Sequence, residues 1–140
     1  MNTRVTILWL VAGLLLVGCA SERVMIPRME PMLPDVPVPT AFKFDPTHST
    51  DFVSTETGQR LNNYSYTGKA VRIDVVDFYQ RQMPLDGWKL QQNVGAGGQQ
   101  RLFFKKTIVP EGLTEAPNCI VTVMGKGENA TGIQILRMER

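Results

Sequence analysis

One segment of the chain has the apolar period of an α-helix, and it constrains the fold more than any other feature. The segment Ala70–Met83 reads AVRIDVVDFYQRQM, and its apolar residues recur at i, i+4, i+7 and i+8. This spacing predicts one apolar stripe along a helix. Pro84 follows and cannot continue a helix, so the helix ends at or near Met83. The residues of the stripe are Val71, Val75, Phe78 and Tyr79.

The segments on both sides of this helix have the alternating or β-branched pattern of strands. The glycine-rich stretches VGAGG and GKGEN each separate two such segments, which predicts two hairpins. The order β-β-α-β-β-β-β predicts an α+β fold in which one helix packs on one face of an antiparallel sheet. The predicted strands are AFKFD from Ala41, RLNNYSY from Arg60, WKLQ from Trp88, RLFFKK from Arg101, CIVTVM from Cys119 and GIQILR from Gly132.

Length and composition fit one globular domain. The chain has 140 residues, of which 43% are hydrophobic and 20% charged. Its net charge of +2 is spread along the sequence and gives no basic surface for nucleic acid. Cys19 and Cys119 belong to no CxxC pair, so a zinc site or a thioredoxin-type site is not predicted.

The amino terminus has the layout of a secretory signal. Met1–Arg4 carries one positive charge, and Val5–Val17 reads VTILWLVAGLLLV without a charged residue. A helix needs about 20 residues to cross the hydrocarbon layer, so this run is too short to span it. A positive start, a short apolar run and small residues at its end predict a cleaved signal peptide.

The residues at the end of this run, Leu16-Val17-Gly18-Cys19, resemble the lipobox of bacterial lipoprotein precursors. The resemblance implies that residues 1–18 are a signal peptide, that cleavage falls between Gly18 and Cys19, and that the Cys19 sulfur carries a diacylglyceryl group. It also implies an acylated new amino terminus. Two or more acyl chains hold a protein stably on a membrane. The alternative is a plain signal peptide whose cut lies beside a cysteine.

The two residues after Cys19 indicate which membrane is expected to carry the protein. In envelopes with two membranes, lipoproteins with aspartate after the cysteine tend to stay at the inner membrane, whereas Ala20 and Ser21 follow here. By the same resemblance, this favours the outer membrane, with the domain facing the periplasm.

Five prolines at positions 27, 31, 34, 37 and 39 dominate the next segment, PRMEPMLPDVPVP. Each proline restricts itself and its predecessor to extended conformations. Residues 19–40 are therefore predicted to be a semi-rigid tether with a reach on the order of 60 Å, and residues 41–140 the folded domain. The alternative is a docking segment, because several of its residues are apolar. These are Met25, Ile26, Met29, Met32 and Leu33.

Residue types that carry out catalysis or bind metals are sparse. His48 is the only histidine, and Asp45, His48 and Asp51 form either a cation site or, as we expect, a solvated turn. Asp74 and Asp77 are three apart on the helix, where an ordinary charged face is the simpler interpretation than paired catalytic carboxylates. No catalytic, cofactor-binding or metal-binding residue is predicted.

Three further features have a structural and a functional interpretation. The glycines of VGAGGQQ join strand to strand, whereas a phosphate loop joins strand to helix, so a hairpin loop is expected. Cys119 is expected to be a small buried hydrophobe on a strand. Trp88 is expected to close the core behind the helix, with a ligand platform as the alternative.

The stretches DFYQRQMPLDGWKL, LFFKK, CIVTV and IQIL, within about residues 38–137, resemble a domain of small bacterial envelope lipoproteins of uncharacterised function. The resemblance implies the fold and no activity. We therefore expect a non-enzymatic, membrane-anchored envelope lipoprotein without a cofactor, which makes protein contacts or supports envelope assembly. The alternative is a binding module for a small apolar or envelope-derived ligand, with a pocket near Tyr79 and Trp88.

Overall fold

The computed structural model describes residues 24–140, which form eight strands and one α-helix. A 3-10 turn, Met83–Asp86, directly follows the helix. In chain order the elements are β1 Pro27–Glu30, β2 Leu33–Pro39, β3 Phe42–Val53, β4 Arg60–Gly68, α1 Arg72–Gln82, β5 Trp88–Ala96, β6 Gln99–Lys106, β7 Asn118–Gly127 and β8 Ala130–Glu139.

Six of the strands form one antiparallel sheet in the order β3-β4-β8-β7-β6-β5, and β1 and β2 form a separate two-stranded sheet. The α+β prediction and both hairpins, β5–β6 and β7–β8, are confirmed. In the register Tyr64 lies opposite Ile135, which lies opposite Val121, and all three are buried. Because side chains alternate between faces, this face of the sheet is the core face.

The helix lies on the core face, over β7. Val75, Phe78 and Tyr79 of the predicted stripe are buried, together with Val76. Val71 is extended and precedes the first helical turn, so it is exposed instead of belonging to the stripe. Pro84 stands at the start of the 3-10 turn, and Gly87 ends that turn with φ of 79°, a left-handed conformation that favours glycine. The predicted helix and its stop are therefore confirmed.

The segment predicted to be a tether is instead a hairpin that packs on the domain. Leu33, Val36 and Val38 of β2 are buried in the same core cluster as the helix and the sheet. The prolines produce extended backbone, as predicted. They also fit into these strands, because each strand of a two-stranded sheet has one unpaired edge where the missing proline N–H breaks no hydrogen bond. The spacer interpretation is therefore wrong, because this segment contributes side chains to the hydrophobic core, and the folded domain begins well before Ala41.

A bulge follows Asp45 and Pro46 within one long strand. β3 continues to Val53, and its register with β4 shifts between Asp45 and Thr50. β3 is an edge strand of the six-stranded sheet. Proline and bulges at sheet edges oppose pairing with other chains, so this irregularity protects the edge.

Candidate functional site

A groove lies at the end of the domain where the described chain begins. Its volume is about 670 Å³. Four parts of the chain form it, namely the residues before β1, the connection from β2 to β3, α1 with the loop before it, and Asn129 between β7 and β8. Apolar lining comes from Val24, Met25, Ile26, Phe42 and Val71. We call this concavity the N-terminal groove.

Charged side chains line the helix side of the N-terminal groove. Asp74 and Asp77 are both there, together with Lys69 and Arg81. The two aspartates therefore share one face with basic residues, as expected for an ordinary charged helix surface. Among the groove-lining residues that the structure describes, none is a histidine, cysteine or serine.

A second candidate surface is the face of the sheet opposite the core. The register places Phe103 beside Ile120, and Ile120 beside Leu136, so three apolar side chains form a row across β6, β7 and β8. All three are half-buried and line a depression of about 240 Å³. Polar residues surround this row, namely Asn63, Arg101, Thr122 and Gln134. We call it the open-face row.

An ion-pair cluster joins the hairpin to the sheet. Arg137 Nη2 donates a hydrogen bond to Asp35 Oδ2 at 3.1 Å, and Lys106 Nζ lies 3.2 Å from the same oxygen. Arg137 Nε lies 3.1 Å from Asp35 Oδ1 but makes no hydrogen bond with it, so that approach is held by charge alone. Arg137 also pairs with Glu139. Since both cations are largely buried, the cluster fixes the position of β2.

Trp88 lies next to this cluster and is part of the core. Its indole Nε1 donates to the backbone oxygen of Asp35 at 2.6 Å, and Lys106 Nζ lies 4.7 Å from the ring centroid. The expectation that Trp88 closes the core is confirmed. Tyr79 is also fully buried, and burial raises the pKa of its hydroxyl. Leu33, Val36 and Val38 of the hairpin belong to the same core cluster as both side chains, and neither Tyr79 nor Trp88 lines the N-terminal groove.

Asp45, His48 and Asp51 do not converge. Asp45 Oδ1 accepts from the hydroxyl of Thr47 at 2.6 Å, and Asp45 Oδ2 lies 2.8 Å from His48 Nδ1. These hydrogen bonds, that of Thr47 first, lower the pKa of Asp45 to about 2. Asp45 and His48 thus bond locally within an exposed segment, as expected, but this segment is the bulged part of β3 and not a turn. Residues 24–140 contain no group of three or more His, Cys, Asp or Glu side chains placed to hold a metal ion.

Asp51 belongs to a different cluster at the edge of the sheet. Its carboxylate accepts from Tyr64 Oη at 2.5 Å and from Asn62 Nδ2 at 2.7 Å. Burial and the hydrogen bond to Asp51 raise the pKa of Tyr64 to about 12. A protonated tyrosine that donates to a carboxylate is a structural pair, and it ties β3 to β4 beyond the bulge.

The structure describes two further features singled out in the sequence, Cys119 and the glycines of the β5–β6 loop, but not the signal segment. Cys119 is fully buried on β7, as expected, and burial raises the pKa of its thiol. Gly97 and Gly98, with φ of 56° and 78°, form the tight turn between β5 and β6, so the hairpin-loop interpretation is confirmed. Gly18, Cys19 and the signal segment lie outside the described residues.

No protein-family profile, curated protein or solved structure matches this chain. Within residues 24–140, the helix that is present is too short and too polar to cross a membrane.

Neither the Asp35 cluster nor the open-face row was predicted from the sequence. One signal for the cluster was present, because Arg137 continues the alternation of the buried residues Ile133 and Ile135 and therefore points into the core. A buried charge requires a partner, and Asp35 is the acidic residue of β2. The open-face row had no local signal, since it depends on which strands are neighbours.

Proposed function

We propose that this chain is a non-enzymatic lipoprotein of a bacterial cell envelope, attached to a membrane by lipid on Cys19, and that its domain makes contacts with another envelope protein. The anchor rests on the sequence Leu16-Val17-Gly18-Cys19 behind an uncharged apolar run. Because Ala20 and Ser21 follow the cysteine, we place the protein at the outer membrane of a two-membrane envelope, facing the periplasm.

The observation that carries the proposed contact is the open-face row. Antiparallel sheets commonly leave one face to water, and that face is then polar. Here Phe103, Ile120 and Leu136 interrupt the polar pattern side by side, with Asn63, Arg101 and Gln134 around them. An apolar centre with a polar rim that includes arginine is the anatomy of protein interfaces, which supports a protein partner over a nucleic acid.

A non-enzymatic role agrees with how the described carboxylates are used. Asp35 pairs with Lys106 and Arg137, and Asp51 accepts from Tyr64. These two carboxylates hold strands together, whereas Asp74 and Asp77 line the N-terminal groove beside Lys69 and Arg81.

The anchor is tested by growing cells with an alkynyl fatty acid and comparing the wild type with Cys19→Ser. We expect label in the wild-type chain and none in Cys19→Ser, with the unprocessed precursor accumulating in the variant. Equal labelling of both chains, or of neither, overturns the anchor.

The contact is tested by placing the photo-crosslinker p-benzoylphenylalanine at Phe103 in intact cells. We expect one discrete adduct with a different envelope protein, and we expect Ile120→Arg in the same chain to abolish it. The matched control carries the crosslinker at Leu85, which is exposed at one end of the domain. The same adducts from both positions, no adduct from Phe103, or an adduct of two copies of this chain would each contradict the proposed contact.

A second candidate function is the binding of a small apolar ligand, and the volume of the N-terminal groove favours it. Pockets of roughly 300 to 1,000 Å³ accommodate small molecules, and about 670 Å³ falls within that range. The test is saturable binding of a fluorescent fatty acid by the Cys19→Ser chain. Val71→Trp, which puts a large side chain into the groove, should abolish binding, and Ile108→Trp should leave it unchanged. Binding that is insensitive to Val71→Trp excludes the groove as the site.

A further inference from the structure

The hairpin shortens the connection between Cys19 and the domain. Residues 27–39 pack into the core instead of extending away from it, and Val24 already lines the N-terminal groove. Ala20 to Arg23 are then the residues left between Cys19 and the domain. Five residue steps at about 3.4 Å each span about 17 Å at full extension, far less than the length expected of a tether.

The surface around this exit carries exposed apolar side chains. Val24 is 82% exposed, Ile26 63% and Val71 43%, and all three line the N-terminal groove. They come from two separate parts of the chain that meet at this end. The charged residues that line the groove are two acidic and two basic, namely Asp74, Asp77, Lys69 and Arg81.

We propose that the end of the domain that carries the N-terminal groove lies against the surface of the lipid bilayer, with Val24, Ile26 and Val71 in contact with it. This inference rests on the proposed lipid at Cys19. A short connection holds this end close to the membrane. Apolar side chains that insert beside the acyl anchor then stabilise the contact. Because the lining charges balance, the contact does not depend on anionic headgroups.

The direction of the strands determines which residues lie at the end of the domain opposite the N-terminal groove. β8 starts beside the groove, since Asn129 lines it, and runs ten residues to Glu139. At about 3.3 Å per residue, the opposite end of the sheet is about 30 Å from the groove. Trp88 starts β5 opposite Lys106 at that far end, so Ile108, which is 76% exposed, also belongs there. The open-face row then stands at the side of the domain, free for a protein partner.

The experiment uses the full mature chain, purified with its lipid and reconstituted into phosphatidylcholine vesicles. A single environment-sensitive fluorophore is attached at Val71→Cys or, in a matched control, at Ile108→Cys. Cys119 is fully buried and does not compete for the label, and an acylated Cys19 has no free thiol. The measurement is quenching by lipids that carry a nitroxide in the headgroup.

We expect quenching at Val71→Cys to exceed that at Ile108→Cys by at least threefold, with the same result when phosphatidylglycerol is added to the vesicles. Ile26→Cys serves as a second probe of the same surface. Equal quenching at the two ends, or stronger quenching at Ile108→Cys, overturns the proposed orientation. Fatty-acid incorporation and vesicle flotation are measured on the same preparation, so a chain without lipid refutes the anchor, whereas a lipidated chain with unquenched Val71→Cys refutes only the orientation.

Discussion

Arg137 donates a hydrogen bond to Asp35 across 102 residues of sequence, with 3.1 Å between Nη2 and Oδ2. The two residues belong to the last strand of the sheet and to the hairpin that precedes the sheet. Lys106 approaches the same carboxylate from β6. The Asp35 carboxylate of the proline-rich segment thus pairs with basic side chains from two strands of the sheet. These ion pairs attach the segment to the domain.

Asp35→Ala should lower the free energy of unfolding by about 2 to 3 kcal/mol, because it removes the carboxylate that two largely buried cations share, although Arg137 keeps Glu139 and Lys106 keeps the backbone oxygen of Asp86. We expect a value below that for a fully buried pair because the Asp35 side chain is 22% exposed. The hydrogen bond from Trp88 survives, since it ends on the backbone oxygen of residue 35. Urea unfolding followed by Trp88 fluorescence measures the change. Glu115→Ala, which removes an exposed pairing with Arg140, is the control and should change stability by less than about 0.5 kcal/mol.

Leu33→Ala tests whether the hairpin is core. Leu33 is fully buried, whereas the preceding residue, Met32, is 42% exposed. Truncation of a buried leucine costs about 2 to 5 kcal/mol, and truncation of an exposed side chain costs much less. Leu33→Ala should therefore unfold at clearly lower urea concentration than Met32→Ala. If the two variants unfold with the wild-type midpoint, the segment is a spacer after all.

The carboxyl of Asp45 should titrate far below an ordinary aspartate. Its pKa falls from 3.8 to about 2, chiefly through the hydrogen bond from Thr47 and then that from His48. Because the folded-state pKa is depressed, this group stabilises the fold above about pH 4, and the contribution is lost as pH falls towards 2. Carbon-detected NMR of the carboxyl gives the midpoint directly. Thr47→Val should raise the midpoint, and Thr57→Val, which alters the turn between β3 and β4, should not.

All three tyrosines of the chain should resist ionisation. The pKa of Tyr64 is raised to about 12, and those of Tyr66 and Tyr79 are also raised, in each case mainly by burial. The unfolded chain releases these protons near pH 10, so stability falls as pH rises above that value. Ultraviolet absorbance at pH 10.5 should show little tyrosinate in the native chain and a majority in urea. Equal absorbance in both states would show that the hydroxyls are open to solvent.

The sequence by itself determined the local elements. The apolar period of Ala70–Met83 and the stop at Pro84 define the helix, because both act within a few residues of the chain. The glycines at 97 and 98 define a hairpin for the same reason, since their positive φ closes the turn. The α+β fold class then follows, as one helix and an antiparallel sheet each have an apolar side to cover. The prediction for Cys19 also rests on a local pattern.

Only the tertiary structure decided the role of the proline-rich segment and the composition of both candidate surfaces. Prolines fix the backbone of Pro27–Pro39 as extended, but whether an extended segment pairs and packs depends on residues as distant as Arg137. The open-face row exists because β6, β7 and β8 are neighbours in a particular register, which sets Phe103, Ile120 and Leu136 side by side. Burial and strand order arise from contacts between distant parts of the chain, and a local sequence pattern does not predict those contacts.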